Sequence, residues 1–388
     1  MMNATWRANP ETPTLGCMSA YEPFAVWAPY PQDVRLRLGE DTLPMRRISA
    51  DWWVADQIAE PGMLYGFELH DGQNWAGPFP DPRTTSQPDG IHGLSEVTDP
   101  AYDWTSDNWT GRDLAGQVIY ELHVGTFTPE GTFEGVIEKL GYLRDLGVTA
   151  IELMPVQPFG GDRNWGYDGV DWMAVHHTYG GPEGLKKLVD AAHNAGIGVI
   201  LDVVYNHFGP DGNYNGMYGP YTSGGTTGWG EVVNISGPHS DEVRAFILDT
   251  VRQWFVEYRI DGLRLDAVHA LDDVGAYSIM EQIQAVADDA TVRTGVPRYV
   301  IAESDLNDPR LVTSREAGGY GLAGQWLDDI HHALHTMVSG ETHAYYEDYG
   351  SLDALDKTLR EAYFFTGTYS SFRGRHHGRP INRSTTPA

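Results

Sequence analysis

Three short apolar runs, each closing on ionisable residues, constrain this chain more than any other feature. Gly198 to Leu201 leads into Asp202, Ile260 to Leu263 leads into Arg264, Leu265 and Asp266, and Tyr299 to Ala302 leads into Glu303. Each run is aliphatic or β-branched and too short for a helix, so each reads as a buried strand. Helix-length amphipathic segments lie between them. That alternation predicts a parallel sheet, and a parallel barrel keeps its chemistry at the C-terminal ends of its strands. Two carboxylates delivered there, Asp266 and Glu303, are what glycoside hydrolysis needs: one nucleophile and one proton donor. Taken singly, either acid reads first as a solvated loop residue or a helix cap. A third strand ending in Asp202, with Asn206 and His207 just beyond it, makes the pair part of a rim.

The rest of the chain organises around that rim. Short alternating runs from about residue 20 to 75, separated by Gly, Pro and Asp, predict an N-terminal β-sandwich. Asn74 to Gly111 lacks periodicity and reads as an ordered linker. From Gln117 onward strands are expected at Val118–Val124, Thr149–Met154 and Gly198–Val204. Helices are expected at Phe133–Leu146, Pro182–Ala195 and His239–Tyr258, the first two stopped by Gly147 and Gly196. Phe208 to Pro238 is a long Gly- and Tyr-rich loop after a strand end, where function is expected. Leu322–Leu327 reads as a sixth strand, with a helical pattern beyond it to about Phe364. The tail from Arg373 is polar and without period. The expected fold class is therefore α/β: an incomplete (β/α)8-type barrel of about six βα units over residues 106–388, preceded by a β-sandwich and linker over residues 1–105.

Composition narrows the partners. Fifty-four acidic against 26 basic residues give a formal charge of −28. That argues against nucleic acid and anionic membranes, which demand a basic surface, and suits a neutral substrate such as a glucan. The single cysteine, Cys17, permits no intrachain disulfide. Met1 to Pro10 has no secretory pattern, and no run approaches the roughly 18–20 apolar residues of a membrane span. A cytoplasmic protein is expected. No Gly-rich nucleotide loop or Ser-His-Asp elbow is found, so no cofactor is expected.

The residues carry a resemblance. DVVYNH (Asp202 to His207), GLRLDAVH (Gly262 to His269) and IAES (Ile301 to Ser304), in this order and spacing, resemble the first three sequence regions of the α-amylase superfamily. YELHVGTFTPEGTF (Tyr120 to Phe133), IELMPVQPFGGDRNWGYDGV (Ile151 to Val170) and GQWLDDIHHALH (Gly324 to His335) resemble its malto-oligosyltrehalose trehalohydrolase family. The resemblance runs from Val26 to the chain end. It implies a retaining hydrolase that cuts the α-1,4 bond next to the terminal trehalose of a malto-oligosyltrehalose and releases trehalose.

By the same resemblance Asp266 is the nucleophile and Glu303 the acid/base, with carboxyl groups expected about 5–5.5 Å apart. Arg264, two residues from Asp266 on one strand face, is expected to keep it charged and to pair with Asp202. His207 and His269 are expected to donate to sugar hydroxyls, and Tyr167 to stack on the sugar. Trp229 is a candidate for outer subsites. Asp328 and His332 are expected at the rim of strand six, against the trehalose end. Asp328, Asp329, His331 and His332 lack the spacing of a metal set, with the two histidines on opposite sides of a strand, so no metal is expected. The resemblance further implies that the barrel stops short of two strands, of an Asn-His-Asp segment that supplies a third acid, and of a C-terminal β domain. Strands one and six then carry unpaired edges. The N-terminal module reads as carbohydrate-binding-like or as a brace for the barrel. Two other functions stand beside the first: a glycogen branching or debranching enzyme with the same carboxylate pair, and an inactive, truncated glucan-binding fragment.

Overall fold

The structure, a computed structural model, describes residues 24–386; Cys17 and Met1 to Pro10 lie outside them. Six strands form one parallel sheet in chain order: β1 (Ile119–Leu122), β2 (Ala150–Leu153), β3 (Gly198–Val203), β4 (Gly262–Leu265), β5 (Tyr299–Glu303) and β6 (Gly324–Trp326). Sequential neighbours in a parallel sheet require crossovers, and helices supply most of them: α1 (Phe133–Leu146), α2 (Gly181–Asn194), α3 (Ser240–Val256) and α4 (Ile279–Thr294). The α1 boundaries follow from its ends. Thr132 accepts a hydrogen bond from the Gly135 N–H, and Gly147 closes the helix at φ 93°, a conformation that a side chain would strain.

The β3 strand shows why these segments are strands. All six of its residues are buried, as expected of a central strand covered on both faces. Val199, Leu201 and Val203 join the large core between sheet and helices, while Ile200 joins a small separate cluster with Ala150, Tyr299 and Ile301 on the other face. That second face is the barrel interior. In a flat sheet β2 and β6 would lie roughly 19 Å apart, four spacings of about 4.8 Å. Yet Trp326 Nε1 on β6 donates to Glu152 Oε2 on β2 at 3.2 Å. The sheet is therefore strongly curled, and its interior side chains meet across it.

Several expectations are corrected. The strand-five crossover holds no α-helix, only 3-10 turns at Pro309–Leu311 and Arg315–Ala317. The segment read as a linker contains a strand, Trp75–Phe79, paired to Leu64–His70. Gly77 and Pro78 interrupt its alternation, and a proline is tolerated there because the strand lies at a sheet edge. The long loop after β3 is built as a small antiparallel sheet of His207–Phe208, Glu231–Val233 and Thr222–Thr226. The tail contributes Arg375–Gly378, paired antiparallel to Thr366–Ser370, despite its polar sequence. Beyond β6 the helical pattern resolves into α5 (Asp329–Ser339) and α6 (Leu352–Glu361). His331 and His332 thus lie on a helix, not on a strand.

The N-terminal residues form a three-stranded antiparallel sheet (Ala25–Trp27, Trp52–Val54, Arg46–Arg47) and a five-stranded one that includes Asp33–Leu38 and Leu64–His70. Their buried residues are continuous with the outer core of the barrel. Arg83 pairs with Asp249 of α3 at 2.9 Å, and the Tyr218 hydroxyl donates to the Pro80 carbonyl at 2.7 Å. At the N-terminal ends of the strands, buried Asp261 accepts from Trp109 Nε1 and from the Val199 N–H, both at 2.8 Å. It also meets His193 Nε2 at 2.8 Å and Arg298 at 3.3 Å. This end of a barrel is where stability is built. Among the described residues no helix is long and apolar enough to cross a membrane.

Candidate active site

The parallel register brings the polar strand ends together. Asp202 on β3 lies beside Arg264 on β4, and Arg264 beside Ile301 on β5. Arg264 Nη1 donates to both Asp202 oxygens at 3.0 Å and to Asp266 Oδ1 at 2.8 Å, while its Nη2 lies 3.9 Å from Glu303 Oε2. One guanidinium therefore touches three carboxyl groups. Asp202 is fully buried, and that burial pushes its pKa up to about 7 against the pull of Arg264. Burial also opposes the charge on Arg264, yet Asp202 and its other anionic neighbours push the arginine's pKa up. Tyr167 donates its hydroxyl to Asp202 Oδ2 at 2.8 Å, and burial pushes this phenol up as well, so it stays a donor.

Backbone strain aims the pair. Ala267 adopts φ 41°, ψ 52°, a left-handed conformation uncommon for a residue with a side chain. The turn points its N–H at Glu303, which accepts at 2.6 Å through Oε2. Strain of this kind persists where surrounding contacts over-determine it. Those contacts are present: the Asp266 N–H donates to the Val203 carbonyl at 3.0 Å, and Asn206 Nδ2 donates to Asp266 O and Oδ2 at 2.9 and 3.0 Å. Glu303 has its pKa raised, first by burial and further by Asp266, while Arg264 and the Ala267 N–H hold it down. The result is one carboxyl ion-paired to an arginine and, beside it, one disposed to keep its proton. That division of roles is what acid-assisted glycoside cleavage requires.

Other expected residues fall differently. His207 is buried, with Nδ1 2.5 Å from Asn206 Oδ1 and Nε2 2.9 Å from the Tyr167 carbonyl. Both nitrogens thus face acceptor oxygens, and the ring packs between Asn206 and the Tyr167 loop. His269 is exposed on a 3-10 turn just after Asp266. Asp328 precedes α5 and His332 lies on it, buried against Tyr345, Tyr346 and Tyr349. Asp328, His331 and His332 offer donor atoms within 4.8 Å of one another, and His331 lies 3.9 Å from Asp328. Trp229, at the tip of the small antiparallel sheet, is 71% exposed.

Three residues escaped the sequence reading. Asn206 was noted only for its place after Asp202, yet it holds the Asp266 carboxyl. Trp165 is 68% exposed in the loop after β2 and lies 5.8 Å from the His123 ring at the end of β1. Its place two residues before Tyr167 was the available signal. Glu152, between Ile151 and Leu153 on β2, was not singled out.

The family description "Alpha amylase, catalytic domain" matches residues 78–217. The chain is also similar to malto-oligosyltrehalose trehalohydrolases. It is 54% identical over 370 residues to the one from Rhizobium sp. (strain M-11), covering 93% of this chain and 62% of that protein. It is 49% identical over 369 residues to the one from Mycobacterium tuberculosis (strain ATCC 25618 / H37Rv), covering 94% and 63%. A crystal structure of a "Putative alpha Amylase" from Salmonella typhimurium superposes with a TM-score of 0.84 at 38% identity, over 92% of this chain and 61% of that one. The chain thus spans less than two thirds of the length of these relatives.

Proposed function

We propose that the protein hydrolyses the α-1,4-glucosidic bond next to the terminal trehalose of malto-oligosyltrehalose, releasing trehalose by a retaining double displacement. The observation that carries this reading is the shared guanidinium: Arg264 within 3.0 Å of Asp202 and Asp266, with Glu303 bonded to the peptide that follows Asp266. Asp266 attacks the anomeric carbon as Glu303 gives its proton to the glycosidic oxygen, and trehalose leaves. Water then displaces the glycosyl ester, and Glu303 takes the water's proton. Asn206 and Arg264 orient Asp266. Tyr167, through Asp202, fixes Arg264. His269, Trp165 and Trp229 line the glucan path, and Asp328 with His332 stands toward the trehalose end. No cofactor or metal takes part in this reading, and a cytoplasmic setting suits it.

In the same reading the described residues up to 105 form the β-sandwich with its linker, and those from 106 onward form the catalytic barrel of about six βα units. The Arg83–Asp249 and Tyr218–Pro80 contacts support a bracing role for the first. The test is product analysis on a malto-oligosyltrehalose and on the plain malto-oligosaccharide of the same length. Free trehalose, released faster than the plain glucan is cut, is expected. Faster cutting of the plain glucan, or gain or loss of α-1,6 branches, refutes the assignment. Because Glu303 must carry a proton and its pKa is raised, the rate is expected to fall as pH rises through its midpoint, above the ordinary 4.5.

A further inference from the structure

Glu152 is a buried interior carboxyl that the proposed mechanism does not use. Its neighbours on β2, Ile151 and Leu153, face the helices and join the outer core, so Glu152 faces the barrel interior and is only 2% exposed. It reaches across the curled sheet to accept from Trp326 Nε1 at 3.2 Å. Every other barrel strand presents a group to it: Glu121 in register on β1, Asp202 on β3, Arg264 on β4, Tyr299 on β5 and Trp326 on β6. Glu152, Asp202, Asp266 and Glu303 are thus four carboxyls around one guanidinium. A single positive charge does not balance four negative ones where two of them, on Glu152 and Asp202, are buried away from water, so the cluster holds protons of its own.

We propose that Glu152 is a positioning residue of the site, a proton-holding carboxyl that ties β2 to Trp326 and leaves the Arg264 charge to Asp202 and Asp266. While Glu152 is neutral, Arg264 faces only the carboxyls at the rim. When Glu152 ionises, its negative charge disfavours ionisation of Asp202. Burial, reinforced by Glu121 and opposed by Arg264 and the Trp326 bond, pushes its pKa up to about 7, so this change falls near neutral pH. The name positioning residue rests on the glucosidase reading; the proton held by Glu152 does not.

The experiment is a pH titration of the 388-residue chain labelled with 13C at its Asp and Glu carboxyls, followed by NMR, for the natural sequence, Glu152→Gln and Trp326→Phe. Expected is a carboxyl signal titrating near pH 7 that vanishes in E152Q and moves to higher pH in W326F, which lacks the bond that lowers it. The Asp202 midpoint is expected to fall by a few tenths of a pH unit in E152Q, because the competing negative charge never forms. E152Q keeps an oxygen for Trp326, so a merely structural role leaves Asp202 unmoved. The proposal is overturned if Glu152 titrates with ordinary carboxylates near pH 4–5, or if the Asp202 midpoint is the same in E152Q. Should E152Q fail to fold, the titration of the natural chain and of W326F still decides where Glu152 ionises. No substrate is needed, so a failed trehalose assay with an intact Glu152 titration refutes the function alone.

Discussion

Replacing Arg264 by methionine tests the site electrostatics directly. Asp202 has no exposed surface and takes two 3.0 Å hydrogen bonds from Arg264. Removing one partner of a buried ion pair costs roughly 3–5 kcal/mol, because the other charge is left uncompensated. The cost depends on whether Asp202 is charged. Its folded-state pKa of about 7 lies above the roughly 3.9 of an unfolded Asp. Between those values the folded chain binds a proton that the unfolded chain does not, so the contribution of Asp202 to stability falls as pH rises through that window.

At pH 8 the natural chain holds Asp202 ionised and paired, and R264M is expected to lose the full 3–5 kcal/mol or so. At pH 5.5 Asp202 is protonated in both chains. The bonds to the partly exposed Asp266 and to the neutral Asp202 are then lost, but no buried charge is left uncompensated, and the loss is about 1.5–3 kcal/mol. The assay is urea unfolding of the natural chain, R264M and R264M/D202N at the two pH values. The double variant is expected to lose the pH difference, since an amide cannot ionise. A loss at pH 8 no greater than at pH 5.5, or strictly additive effects of the two substitutions, would refute the reasoning.

Other outcomes follow from the same geometry. Trp165→Ala and Trp229→Ala each remove an exposed ring from the rim, and each is expected to weaken malto-oligosaccharide binding by roughly 1 kcal/mol, about fivefold, in calorimetric titration; unchanged affinity would remove that residue from the glucan path. Asp261→Asn, at the opposite end of the barrel, is expected to cost about 1.5–3 kcal/mol in urea unfolding at pH 7. Burial alone would raise the Asp261 pKa, but His193, Arg298 and the Val199 N–H hold it below the ordinary value. Its contribution is therefore present above about pH 4 and fades as pH falls through the depressed pKa. A D261N deficit that did not shrink in acid would contradict this.

The sequence by itself determined the elements whose signals are local. Runs such as Gly198 to Leu201 and Tyr299 to Ala302 are strands because aliphatic residues crowd there, and Phe133–Leu146 is a helix because a threonine opens it and a glycine closes it. Asp266 and Glu303 were legible because each stands at the end of such a run. The strand Trp75–Phe79 and the Arg375–Gly378 hairpin were not, since a Gly-Pro pair and a run of charges mask them and pairing to distant backbone makes them strands. That His207 packs between Asn206 and the Tyr167 carbonyl was likewise not legible in the sequence. Glu152 was beyond any local reading, because its partner lies 174 residues away and meets it only when six strands curl. Local preference decides which segments become strands; register and curvature decide which side chains face one another, and those are properties of the assembled sheet.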